Sequence, residues 1–171
     1  MEFYNSVMLI LPNIKYILGS LLIGLLLSCG APEPAEAPPT NPLFERIEAS
    51  ASGVDFNNRI EENFQNFFGV FNYVYNGAGV AIGDIDNDGL SDLFFTGNDV
   101  PNKLYLNQGS FEFKDITEAA GIGDPDGWDN GVVMADVNQD GWLDIYVSRG
   151  GWKNTDAQRR NLLYINNGDL S

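Results

Sequence analysis

Two stretches of this chain carry the same spacing of aspartate, asparagine and glycine, and that repeat constrains the fold more than any bulk property. Gly79-Val-Ala-Ile-Gly-Asp84-Ile-Asp86-Asn-Asp88-Gly89-Leu-Ser-Asp92-Leu-Phe-Phe aligns with Gly131-Val-Val-Met-Ala-Asp136-Val-Asn138-Gln-Asp140-Gly141-Trp-Leu-Asp144-Ile-Tyr-Val, 52 residues further on. Further pairs flank them. Asn102-Lys-Leu-Tyr-Leu-Asn-Gln-Gly109 matches Asn161-Leu-Leu-Tyr-Ile-Asn-Asn-Gly168, and Phe44-Glu-Arg-Ile47 matches Phe113-Lys-Asp-Ile116. Self-similarity at this period marks a repeat architecture, in which each unit buries its apolar face only against its neighbours.

The units read as strands. Val80 to Ile82, Leu93 to Thr96, Leu104 to Leu106 and Phe111 to Phe113 are short, apolar or alternating, and separated by Gly, Asn and Asp. Val132 to Met134, Ile145 to Val147 and Leu162 to Ile165 repeat the series. Only Arg59 to Phe68 carries arguable helical periodicity. About four short strands per unit at this spacing predict an all-β fold of β-propeller blades. The chain holds two such units, the second short of its fourth strand, so the expectation is a partial propeller, the front part of a longer protein. A self-contained two-blade domain is the alternative.

Each aspartate run reads D-x-[DN]-x-D-G-x-x-D. Positions 1, 3 and 5 bring side-chain oxygens around one point, position 6 supplies glycine for a sharp turn, and position 7 offers a backbone carbonyl. Such all-oxygen cages suit calcium. The expected ligands are Asp84, Asp86, Asp88, the Leu90 carbonyl and Asp92 in the first loop, and Asp136, Asn138, Asp140, the Trp142 carbonyl and Asp144 in the second. An EF-hand is excluded: it requires Glu at position 12 between helices, whereas position 12 is Phe95 or Val147, inside an expected strand. A metal-free Asp/Asn/Gly hairpin is the plain alternative, but four carboxylates between Asp84 and Asp92 repel one another unless a cation is present.

Charge and composition narrow the function. A net charge of −15 opposes the cationic footprint that nucleic acid requires. The absence of histidine removes the usual general base and most zinc or copper sites. The expectation is therefore non-enzymatic.

The N-terminal region reads as a targeting segment. Lys15 precedes an apolar run from Tyr16 to Leu27, too short for a mature membrane span and suited to a secretory signal. Leu26-Leu27-Ser28-Cys29 resembles the lipobox of bacterial lipoproteins, and Cys29 is the sole cysteine. The predicted organisation is a lipoprotein signal peptide over 1–28, a disordered Pro/Ala/Glu tether over 29–43, and the partial propeller over 44–171, with lipid on Cys29 anchoring an exported protein at the outer membrane or cell surface.

The loops, with their preceding Gly-Val and following Leu-Tyr-Leu-Asn, resemble FG-GAP or VCBS repeats. The strings YNGAGVAIGDIDNDGLSDLFFTGN and NKLYLNQGSFEFKDITEAAGI resemble the cartilage-acidic-protein-like family, whose bacterial members often carry a later ASPIC/UnbV segment. The resemblance implies a seven-bladed propeller with calcium in several hairpin loops. It spans about residues 44 to 171, without the ASPIC/UnbV segment.

Other features carry less. Asp124, Asp126 and Asp129 suit a surface Pro-Asp-Gly turn, with a third cation site as the alternative. Trp128, Trp142 and Trp152 suit packing between blades, with stacking on a sugar ring as the alternative. Gly150 to Arg160, with Lys153, Arg159 and Arg160, is a basic insertion and a candidate contact loop. Phe56 to Tyr75 is aromatic, and either covers the propeller or belongs to a blade. The leading functional expectation is a calcium-stabilised module binding an unknown protein or glycan. The alternatives are the N-terminal propeller of an extracellular lyase or hydrolase, or a structural spacer.

Overall fold

A computed structural model of the chain describes residues 41–123, 127–151 and 155–169. The signal segment, Cys29 and most of the tether lie outside the described residues, as do Asp124, Asp126, Trp152 and Lys153. Of the first unit, residues 1–45, positions 41–45 are described and form neither strand nor helix. The second unit, residues 46–171, holds two antiparallel sheets. Among the described residues no helix is long and apolar enough to cross a membrane.

The first sheet is a four-stranded meander: β1 (Val80–Gly83), β2 (Asp92–Phe95), β3 (Lys103–Asn107) and β4 (Phe113–Asp115). Val80 pairs with Phe95 and Gly83 with Asp92, so the first aspartate run closes the β1–β2 hairpin. The second sheet repeats the order with β5 (Asp129–Ala135), β6 (Asp144–Arg149) and β7 (Leu162–Tyr164). There Ala135 pairs with Asp144, placing the second run in the corresponding hairpin. This is the all-β, two-blade arrangement that the repeats imply.

Period-two alternation decides what each strand buries. In β2, Asp92 and Phe94 are buried while Leu93 and Phe95 are half-buried. Phe94 and Val147 are completely enclosed in one core with Ala81, Ile85, Leu104, Leu106, Ile116 and Ile145. Enclosing a side chain such as Phe94 stabilises by about 1.5–3 kcal/mol. The blades approach at their first strands: a Cβ at Gly79 would lie 2.9 Å from Gly131 Cα, and one at Gly83 2.8 Å from a Leu143 methyl. A larger residue at Gly79 would force the two backbones apart, whereas at Gly83 the Leu143 and Met134 side chains would have to shift. Leu104 and Leu106 lie inside this junction, whereas their counterparts Leu163 and Ile165 are 50% and 45% exposed.

Several expectations need correction. The strand expected over residues 111–113 begins only at Phe113, because Ser110 and Phe111 adopt φ of 53° and 61° and complete the hairpin turn. Residues 44–47 form no strand, although their counterparts, residues 113–116, contain all of β4. A strand requires a ladder, and β3 supplies one to β4, while no described strand supplies one to 44–47. The residues after them do repeat in part: a helical turn, α1 (Ala49–Ser52), ends at Gly53 with φ 77°, and Gly121 occupies the same left-handed region at 65°. The arguable helix over 59–68 is a set of turns held by an Asn63–Asn66 bridge.

The aromatic segment lies against the first blade. Phe56 stacks on Phe95 at 5.0 Å, the Tyr105 hydroxyl donates to Asp55 at 2.8 Å, and Phe71 meets Trp128 edge-on at 5.7 Å. The Asn58 side-chain amide donates to Asn98 Oδ1 at 2.7 Å and accepts the Asn98 backbone N–H at 2.9 Å. Burial and the bond to Asp55 push the Tyr105 hydroxyl pKa well above the usual phenol range. Trp128 is thus a packing residue. Asp129 is also buried, its carboxylate accepting from Arg149 Nε at 2.8 Å and Asn102 Nδ2 at 2.6 Å. A buried carboxylate with both oxygens satisfied belongs to the scaffold, not to a surface cation cluster.

Candidate metal centre

The two hairpin loops share four equivalent side-chain-to-backbone hydrogen bonds. In the first, Asp84 accepts the backbone N–H groups of Asp88 (3.1 Å) and Gly89 (2.9 Å), Asp86 accepts that of Asp88 (3.2 Å), and Asp88 accepts that of Leu90 (2.7 Å). In the second, Asp136 accepts from Asp140 (3.1 Å) and Gly141 (2.9 Å), Asn138 from Asp140 (3.0 Å), and Asp140 from Trp142 (2.9 Å). Asx-type bonds from a side chain to a backbone N–H a few residues on are what Asp and Asn make in turns. Here they wind the chain around the carboxylates.

Backbone angles repeat as well. Asn87 and Gly89 take φ of 59° and 90°, and Gln139 and Gly141 take 65° and 92°. A Cβ on either glycine would meet nothing within 4 Å, so the glycine is required by its left-handed angle and not by crowding.

Oxygens of Asp84, Asp86 and Asp88 lie within 4.8 Å of one another. Three carboxylates so close form a donor set that a hard divalent cation fits. The Asp86 carboxyl pKa is raised, first by partial burial and then by the charges of Asp88 and Asp84. In the second loop Asn138 Nδ2 donates to Asp140 Oδ2 at 2.8 Å, so an amide bridge replaces part of that repulsion.

Position 9 has another task. Asp92 and Asp144 are each 1% exposed. Asp92 Oδ2 accepts from Ile85 N at 2.8 Å and Oδ1 from Asn107 N at 2.8 Å. Asp144 accepts from Val137 N at 3.0 Å and Asn166 N at 2.9 Å. Each thus ties the loop's second residue to the chain leaving the blade's third strand, at Asn107, the last residue of β3, and at Asn166, two residues past β7. Burial raises the Asp92 carboxyl pKa, and the nearby Asp86 and Asp88 charges add to it. The structure brings positions 1, 3 and 5 together and holds position 9 as a buried staple. Leu90 and Trp142 occupy position 7, immediately after the left-handed glycine, and the Trp142 ring lies against Gly168.

Sequence reasoning did not single out Asn107 and Asn166 as loop partners. The signal was present in the repeated Leu-Tyr-Leu-Asn and Leu-Tyr-Ile-Asn, each of which places Asn directly after an apolar triplet. Of the basic insertion, Arg159 faces Asp156 at 3.8 Å on the surface.

Comparison with known proteins agrees with this geometry. Residues 84–147 match the FG-GAP-like repeat family, a segment that opens on the first loop aspartate and includes the second loop whole. A stretch of 76 residues is 41% identical to cartilage acidic protein 1 of Mus musculus, covering 44% of this chain and 12% of that protein. Over the same length the chain is 40% identical to cartilage acidic protein 1 of Homo sapiens and of Xenopus tropicalis, covering 11% of each. The chain thus spans about one ninth of the length of these relatives.

Proposed function

Because residues 84–147 are an FG-GAP-like repeat segment, we propose that the chain is a non-enzymatic, calcium-binding repeat module of an exported, lipid-anchored protein, and that its blades present a surface to a protein or glycan partner. The observation that carries this reading is the duplicated loop: two hairpins with four equivalent hydrogen bonds and left-handed residues at the same two positions, one of them gathering three carboxylates within 4.8 Å. Asp84, Asp86 and Asp88 would hold one cation, and Asp136, Asn138 and Asp140 a second. Asp92 and Asp144 would fix loop geometry from beneath through their bonds to backbone N–H groups. Bound calcium would neutralise the carboxylates and lock both hairpins, and so rigidify one end of each blade. The absence of histidine and the use of the clearest carboxylate clusters in the loops speak against an enzyme.

Extracellular calcium modules bind at about 10⁻⁴–10⁻³ M. A cation present at about a hundred times its dissociation constant stabilises by about 2.7 kcal/mol per site. Titration calorimetry and thermal melting of the chelated protein test the reading. Saturable heat with a raised melting temperature in calcium is expected, and no heat with an unchanged melting curve refutes it.

A further inference from the structure

The two position-9 staples are not independent. Asn107 and Asn166 are repeat counterparts with the same local duties. Each donates its backbone N–H to the position-9 carboxylate, each accepts a glycine N–H two residues on at 2.9 Å, and each side-chain amide donates to position 8 of its own loop. Those last bonds run from Asn107 to Ser91 O at 2.9 Å and from Asn166 to Leu143 O at 3.2 Å. Asn166 alone does something more. Its Nδ2 also donates to the carbonyl of Ile85, in the other loop, at 2.8 Å, a shorter bond than the one to its own loop. Ile85 is buried and gives its own N–H to Asp92. A continuous chain of hydrogen bonds thus runs from Asp144 through Asn166 and Ile85 to Asp92.

A second bridge crosses at the surface. Asn87, the left-handed residue between Asp86 and Asp88, donates its amide to Gly141 O at 3.1 Å. Gly141 in turn gives its N–H to Asp136. Both crossings end on backbone carbonyls at turn positions of the opposite loop, so neither loop can contract around an ion without moving a group that the other loop holds.

We propose that Asn166 is a positioning residue shared by both loops, and that through it and Asn87 the two cation sites fill with positive cooperativity. The proposal rests on the calcium reading above. An empty loop carries mutually repelling carboxylates, and an ion draws them inward. The first ion fixes the carbonyl it is bridged to, and that restraint removes part of the ordering cost at the second site, which is how a pre-organised state raises apparent affinity. Repulsion between two divalent ions would oppose this, but each ion is largely neutralised by its own carboxylates in a chain of net charge −15.

The test is a site-resolved double-mutant cycle on the whole chain. Calcium is titrated while nuclear magnetic resonance follows the amides of Gly89 and Gly141, one reporter per loop. Asp140→Ala disables the second loop. With the bridges intact it is expected to weaken calcium at the first loop by about 5–10-fold, within the usual range of coupling between sites. In an Asn166→Ala/Asn87→Gly background the same substitution is expected to change first-loop affinity less than about twofold, whereas Asn107→Ala, which breaks no crossing bond, leaves the coupling in place. Asn87→Gly keeps the left-handed angle and lies at the surface. If Asn166→Ala fails to fold, Asn87→Gly by itself must still reduce the coupling. Full coupling without the bridges, or first-loop affinity unaffected by Asp140→Ala in the parent, overturns the proposal while leaving the calcium reading intact. Absence of calcium shifts at both glycines overturns both.

Discussion

Asp88 and Asp92 belong to one loop and one motif, yet their removal is expected to differ in size and in calcium dependence. Asp92 is buried, and its two oxygens serve the N–H groups of Ile85 and Asn107. Asp92→Ala leaves the buried Ile85 N–H without an acceptor, at about 1–3 kcal/mol, and removes the partner of the half-buried Asn107 N–H, at about 1 kcal/mol. The expected loss is about 2–4 kcal/mol, large against the 5–15 kcal/mol stability of an ordinary domain. This loss is independent of calcium. Asp88 is exposed and accepts one hydrogen bond, from Leu90 N. Asp88→Ala is expected to cost less than about 1 kcal/mol in chelator and to abolish most of the first loop's calcium-dependent gain. Equilibrium urea unfolding in excess chelator and in millimolar calcium separates the cases. Asp92→Ala should shift the midpoint strongly in both conditions, Asp88→Ala mainly in calcium. Equal midpoints for the two variants in chelator would show that the position-9 carboxylate is not a staple and refute the division of roles.

The second loop differs by one charge. Asn138→Asp is expected to raise its calcium affinity and to lower its chelated stability, read by calorimetry and melting; unchanged affinity would discount the role of carboxylate count. Partial burial alone would raise the Asp115 carboxyl pKa, but bonds from Lys103 and Thr117 outweigh it and hold it below the usual range. A depressed folded value means that the contribution is full above the unfolded pKa and lost as pH falls through the folded one. Asp115→Asn should therefore destabilise by no more than about 1 kcal/mol at neutral pH, since the pair is partly exposed, and the difference should vanish well below pH 3.8; a penalty that persists there would point to shape and not charge. Cys29→Ser should leave an uncut precursor without lipid, so intact mass and membrane fractionation of the wild type should show acyl chains on Cys29, and a mature terminus elsewhere would reject the anchor.

The aspartate loops and most strands were legible from sequence because both are set locally. A left-handed turn at Gly89 or Gly141 is favoured by glycine itself, Asx bonds reach only a few residues, and short apolar runs bounded by Asn and Gly mark strands wherever a neighbour supplies the ladder. The duplication made each local pattern a test of the other. Local pattern misled at residues 111–113, where apolar spacing suggested a strand and two left-handed residues made a turn. It could not assign Asp92 or Asp129. Each is an aspartate in an acidic stretch, and only the approach of Ile85 and Asn107 to one, and of Arg149 and Asn102 to the other, makes a buried staple. Nor could it place the segment that contains Phe56 and Phe71, whose partners Phe95 and Trp128 lie 39 and 57 residues away. The repeat made Asn107 and Asn166 equal in sequence. Packing of one blade on the other made them unequal, because a side-chain amide has two donor hydrogens and only Asn166 has a second loop within reach.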